Sequence, residues 1–154
     1  MKVKEGVKMP KRSTTGSAGY DFFAPERYEL MPGKWTMIDT GVSLTDADNV
    51  LRSDIVIMGE YMGRNRKPVS NWFLMIVPRS GLSNKYGFRI RNTVGIIDMD
   101  YRDTIKVLVT VDEPYTLDKG ERFMQGIVLP FCVFNDEIEP TEARSGGHGS
   151  TGRF

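Results

Sequence analysis

Ile105-Lys106-Val107-Leu108-Val109-Thr110-Val111 has an apolar side chain at every odd position, with Leu108 the one apolar residue between them. A period of two is the spacing of side chains along one face of an extended chain. The run therefore reads as a strand, half buried or nearly so. Working outward, Gly126 to Phe134 is almost wholly apolar apart from its Gly and Pro, which suits a strand in the middle of a sandwich or barrel. Pro130 inside it marks a bulge or an edge, because proline donates no ladder hydrogen bond. Tyr20 to Ala24 is a third run. Trp35 to Asp39 is a fourth, entered through a turn at Met31-Pro32-Gly33-Lys34. Helical periodicity is confined to Gly81 to Tyr86. Sixteen glycines and eight prolines punctuate these short runs, the pattern of many strands and tight turns. The chain reads as all-β, a sandwich or jelly-roll type β-barrel.

Two stretches fall outside that pattern. Asp46 to Ser70 is polar and rich in Gly, Arg and Asn. It reads as a long inserted hairpin or loop, with Asp54 to Met58 going out and Asn71 to Val77 coming back. Pro140 to Phe154 lacks strand patterning and is rich in Gly and Ser. The expected organisation is one domain over residues 1–139, with an insert at about 46–70 and a flexible tail over 140–154.

At 154 residues the length fits one domain. The 21 basic and 20 acidic side chains leave a net charge of +1, which argues against a general nucleic-acid binder. A single cysteine, Cys132, excludes an internal disulfide framework and a Cys-rich zinc site. In its apolar run it reads as a small buried hydrophobe. A single histidine, His148, excludes a multi-His metal centre. No apolar stretch reaches the roughly 20 residues of a spanning helix, and Met1 to Gly6 has no secretion-signal run, so a cytoplasmic location is expected. Trp35 and Trp72 are expected in the core or a subunit interface.

Four polar clusters interrupt the strands. In Pro78-Arg79-Ser80-Gly81-Leu82, backbone N–H groups and a hydroxyl at a strand end suit an anion, and Arg79 adds a fork of donors suited to phosphate. A capped turn with a surface arginine would look the same. In Gly95-Ile96-Ile97-Asp98-Met99-Asp100-Tyr101-Arg102, a carboxylate at a strand end can deprotonate a bound water. The alternative there is a hairpin turn whose carboxylates cap amides. Arg144-Ser145-Gly146-Gly147-His148-Gly149-Ser150-Thr151 suits a lid closing over phosphates, or a plain tail. The remaining cluster is Ser17-Ala18-Gly19-Tyr20-Asp21.

These clusters, in this order and together with Arg122-Phe123-Met124-Gln125-Gly126, resemble the motifs of the trimeric dUTP pyrophosphatase (dUTPase) family. The resemblance runs from Ser17 to Gly152. It implies a jelly-roll β-barrel homotrimer whose C-terminal tail closes a neighbouring active site. It implies Mg²⁺-dependent hydrolysis of dUTP to dUMP and pyrophosphate, which limits uracil in DNA and supplies dUMP for thymidylate synthesis. Asp98 then matches the general base that activates water. Tyr101 matches the ring under the deoxyribose, and Asn92 with backbone groups from Gly95 through Ile97 to Asp98 matches the uracil reader. Arg79, Ser80 and Gly81 match the phosphate-binding turn, and Gln125 a phosphate-side contact. Arg144, His148, Gly149, Ser150 and Thr151 fall in the closing tail. No direct protein ligand to the metal is implied: Mg²⁺ rides on the triphosphate, with Asp21 and Gln125 reaching it through water. Two other readings share this sequence. One is a dCTP deaminase, against which Asp98 and Tyr101 argue. The other is a dUTP-binding signal protein that meets a partner protein through the 46–70 insert.

The chain departs from the family pattern in three places. His148 stands where many members carry phenylalanine. The segment Arg144-Ser145-Gly146-Gly147 is one residue shorter than usual. Asp103 occupies a position usually held by glycine.

Overall fold

A computed structural model describes residues 1–44, 71–134 and 136. Its strands are β1 (Lys2–Val3), β2 (Tyr20–Phe23), β3 (Tyr28–Leu30), β4 (Thr36–Ser43), β5 (Trp72–Pro78), β6 (Arg89–Ile90), β7 (Gly95–Asp98), β8 (Thr104–Thr110), β9 (Tyr115–Leu117) and β10 (Arg122–Pro130). One helix, α1 (Ser80–Tyr86), interrupts them. The strands form a four-stranded sheet in the order β1-β4-β8-β6, a second in the order β2-β10-β5-β7, and a two-stranded β3-β9 pair.

The period-two runs explain the layering. On β8, Ile105, Val107 and Val109 are buried, while Lys106 between them is exposed. On β5, Trp72, Leu74 and Ile76 point the same way, at 2% exposure or less. Both sets join Phe22, Ile38, Phe88, Phe123 and Met124 in a single apolar core between the two large sheets. Fully burying one such side chain contributes about 1.5–3 kcal/mol, so this core dominates stability. The turn into β4 is closed by Lys34 N donating to Met31 O at 3.2 Å. Gly33 takes φ +73°, the left-handed conformation that the third position of such a turn demands.

Three expectations are corrected. Among the described residues no strand pair joins the two large sheets, so these residues form a sandwich of two open sheets, and no closed barrel is found among them. The last strand begins at Arg122 instead of Gly126 and ends at Pro130. β2 pairs only as far as Gly126, so Pro130 sits where β10 has become an edge. Beyond it, Phe131 N donates to Asn71 O and the chain then leaves the sheet. Cys132 is therefore exposed rather than buried. Trp72 is in the core, one of the two places expected for the tryptophans, and Trp35, just ahead of β4, is 42% exposed on the single chain. The outgoing hairpin arm at Asp54 to Met58 and the tail over 140–154 lie outside the described residues.

Candidate active site

The sheet β2-β10-β5-β7 carries the candidate residues in two groups at opposite ends of β5. The first group gathers around Asp21. Asp21 lies on β2, and its register neighbour on β10 is Gln125, which in turn stands opposite Val77 of β5. Two residues beyond Val77, Arg79 is the N-cap of α1, in extended conformation with no side-chain cap bond. Ser80 and Gly81 are the first helical residues, whose amides have no partner within a helix that starts there. A Cβ built on Gly81 would meet nothing within 4 Å, and its backbone is not left-handed. The chain's own packing therefore does not require glycine at this position, whereas close approach of a ligand or neighbour would.

Asp21 is 1% exposed, and each of its carboxylate oxygens takes two donors. Gln125 Nε2 donates to Oδ1 at 3.1 Å, and Arg79 Nε pairs with the same oxygen at 3.4 Å. Ser13 Oγ donates to Oδ2 at 2.7 Å, and Arg122 Nη1 donates to it at 3.1 Å. Burial alone pushes this carboxyl group up. The hydrogen bonds from Ser13, Gln125 and Arg122, with the charge of Arg79, outweigh it and hold Asp21 below the usual carboxylate range. With about four acceptor positions on an ionised carboxylate, Asp21 is saturated by protein donors. Its role here is to fix two arginines and an amide, with Gln125 Oε1 at the other end of that amide.

Ser13 and Arg122 are not among the residues that the sequence motifs assign to this site. Arg122 and Gln125 are three apart, which on a regular strand would put them on opposite faces. The register of β10 with β2 shifts between Arg122 and Met124, and this bulge brings both side chains to Asp21. Ser13 reaches it from a loop held by Arg12, whose Nη1 donates to Thr15 O and Ser17 O.

The second group lies on and around β7, the edge strand. Asp98 ends β7 and stands opposite Phe73, at the far end of β5 from Arg79. Tyr101 N donates to Asp98 O at 3.0 Å, so Asp98-Met99-Asp100-Tyr101 is a tight turn. Asp98 is exposed. Tyr101 is 7% exposed, and its hydroxyl donates to Thr104 O at 3.2 Å. Gly95 stands opposite Ile76, and its Cβ would come within 3.2 Å of the Ile76 Cβ. Asn92 is exposed where the chain crosses from β6 to β7. Just after it, Val94 N donates to Asn92 O at 2.6 Å. Thr93 between them takes φ +63°, a strained conformation for a β-branched residue. Arg144, His148, Gly149, Ser150 and Thr151 lie outside the described residues.

A family model of dUTPase matches residues 70–152, more than half of the chain and most of both groups. The chain belongs to the dUTPase family. The deoxyuridine 5'-triphosphate nucleotidohydrolase of Lactococcus lactis subsp. lactis (strain IL1403) is 34% identical, over 96% of this chain and 89% of the relative. The crystal structure of dUTPase from Streptococcus mutans superposes with a TM-score of 0.62 at 26% identity, covering 86% of this chain and 92% of that one. A mutant dUTPase from phage phi11 of S. aureus, described for its coordination of a structural Mg(II) ion, shares the fold at TM-score 0.62 and 19% identity, over 91% of this chain and 93% of that one. Among the described residues of this dUTPase-family chain, no three His, Cys, Asp or Glu side chains converge to hold a metal ion. No helix among them is long and apolar enough to cross a membrane.

Proposed function

We propose that this chain hydrolyses dUTP to dUMP and pyrophosphate at sites shared between the copies of a homotrimer. The observation that carries the shared site is the β5·β7 register. Asp98 stands opposite Phe73, and the phosphate-binding turn begins at Arg79. Six residues of strand separate those levels by about 20 Å, far more than one triphosphate bridges. The base of one copy therefore works with the Arg79, Ser80, Gly81 and Gln125 group of a neighbour. The family's jelly-roll trimer, closed by the tail of a third copy with Arg144, His148, Gly149, Ser150 and Thr151, supplies that arrangement.

Uracil presents acceptor, donor and acceptor along its pairing edge. An edge strand such as β7 offers the complement, since half of its backbone N–H and C=O groups face away from β5. Cytosine would leave such groups unpaired, and sites built this way discriminate by about 10⁴–10⁵. Asn92, held beside the strained Thr93 turn, adds a side-chain contact. Tyr101 packs beneath the sugar and excludes a 2′-hydroxyl.

Asp98 takes the proton of the water that attacks the α-phosphorus, and the bond from that phosphorus to the bridging oxygen of pyrophosphate breaks. Arg79, with the amides of Ser80 and Gly81, holds the phosphates in line. Positioning and charge neutralisation of this kind are the main demands of phosphoryl chemistry. The donor set fits Mg²⁺ carried on phosphate oxygens and water, because Asp21 is saturated and no acidic cage is present among the described residues. Bound there, Mg²⁺ neutralises phosphate charge, and Gln125 Oε1 is the protein oxygen we assign to its water shell. A cytoplasmic location goes with this reading. Pyrophosphate release from dUTP with Mg²⁺ tests the activity. Asp98→Asn is expected to lower turnover about 10²–10⁴-fold with nucleotide affinity retained. Turnover at full speed in that variant overturns the assignment of the base.

A further inference from the structure

We propose that Ser13 is a positioning residue for the triphosphate grip, acting through Asp21 and Arg122. The proposal rests on reading the Asp21 end of the sheet as the phosphate side of the dUTPase site. Ser13 is exposed on its loop, yet its hydroxyl makes the shortest contact to the buried carboxylate, 2.7 Å to Oδ2. The same oxygen atom of Ser13 accepts from Arg122 Nη1 at 3.1 Å. Arg122 also reaches Oδ2 at 3.1 Å, so Ser13, Arg122 and Asp21 close a three-membered ring of contacts.

That ring decides where the carboxylate points. With Oδ2 turned to Ser13 and Arg122, Oδ1 is left to Gln125 at 3.1 Å and to Arg79 at a looser 3.4 Å. Arg79 is anchored through Nε, and its Nη1 also contacts Arg122 O at 3.4 Å. These contacts engage Nε and Nη1, so Nη2 is the nitrogen of the fork left for phosphate. Without the Ser13 hydroxyl, Oδ2 loses a donor and Arg122 an acceptor. The carboxylate then turns towards Arg79 and draws its fork away from the substrate. Asp98, the proposed base, is not part of this ring, so the loss is read first in the grip on the triphosphate.

The expected signature is a split between KM and kcat. With Mg²⁺ and dUTP, Ser13→Ala raises KM about tenfold, the size of one lost hydrogen bond to a charged group, and leaves kcat within about twofold. Ser13→Thr keeps a hydroxyl and returns KM towards wild type. Ser13→Cys, a weaker donor of nearly the same shape, gives an intermediate KM and serves as second variant should the alanine protein not fold. A KM within about twofold of wild type in a folded Ala or Cys variant overturns the proposal, whatever happens to Tm, as does failure of Thr to rescue. A wild-type protein that released no pyrophosphate would instead overturn the dUTPase reading beneath it.

Discussion

Two inactive proteins are expected to make an active one. Asp98→Asn removes the proton acceptor, and Arg79→Ala removes the fork that holds the phosphates. The structure puts these residues at the two ends of β5, opposite Phe73 and just past Pro78. The separation of about 20 Å exceeds the reach of one bound triphosphate, so in the proposed trimer every working site draws them from different copies. In trimers assembled at random from equal amounts of both variants, half of the copies carry the base and half of the neighbours carry the arginine. About a quarter of the sites then hold both, and the mixture recovers roughly a quarter of wild-type activity. The assay co-refolds differently tagged variants, verifies hybrids by native mass spectrometry, and measures pyrophosphate release with dUTP below KM. Each parent alone falls at least about 10²-fold, leaving ample window. Hybrids no more active than the mean of their parents would refute the division of the site.

Further perturbations separate packing from function. Gly81→Ala places a methyl group where nothing lies within 4 Å. It should raise stability by about 0.5–1 kcal/mol through helix propensity while raising KM for dUTP; an unchanged KM would remove Gly81 from the phosphate turn. Thr93→Gly relieves left-handed strain worth about 1–2 kcal/mol and should raise Tm in a thermal melt. Asp21 has its folded pKa depressed, so its stabilising contribution is present above the unfolded value of about 3.9 and is lost as pH falls through the lower folded value. Tm should therefore drop as pH is taken below about 4, and less steeply in Asp21→Asn. A free imidazole titrates near about pH 6.5, so KM is expected to vary across pH 6–7 in wild type and not in His148→Phe, and superimposable profiles would exclude a titrating lid.

The strands are legible in the sequence because their signal is local. Ile105 to Val111 marks β8 to within a residue at each end, since alternation and burial are the same fact seen twice. The turn before β4 is legible for a similar reason, as Pro32-Gly33 leaves the backbone few choices. Cys132 misleads because an apolar run says nothing about where its neighbours stop. The pairing with β2 ends at Gly126 and β10 itself ends at Pro130, so Cys132 lies past the last rung of the ladder. Sheet closure is illegible because edge pairing is a long-range property that no window of sequence contains.

The site is legible as residue types and illegible as geometry. Asp21, Arg79, Gln125 and Asp98 are recognisable one by one, but motif order does not say how far apart they stand; the register puts Asp98 and Arg79 at opposite ends of β5. Arg122 illustrates the same point at smaller scale: three residues from Gln125, it belongs on the other face of a regular strand, and only the bulge between Arg122 and Met124 returns it to Asp21. These two departures from simple strand arithmetic have related consequences. The bulge concentrates cationic donors at one end of the sheet around a saturated carboxylate. The long β5 places Asp98 at the other end, opposite Phe73. At an effective dielectric near 80, two unit charges about 20 Å apart interact by only about 0.2 kcal/mol, against about 1 kcal/mol at 4 Å. The proposed base and the proposed anion clamp thus stand at opposite ends of β5 in the single chain. On the proposed reading they come together when copies assemble, and assembly is then expected to be a condition for catalysis.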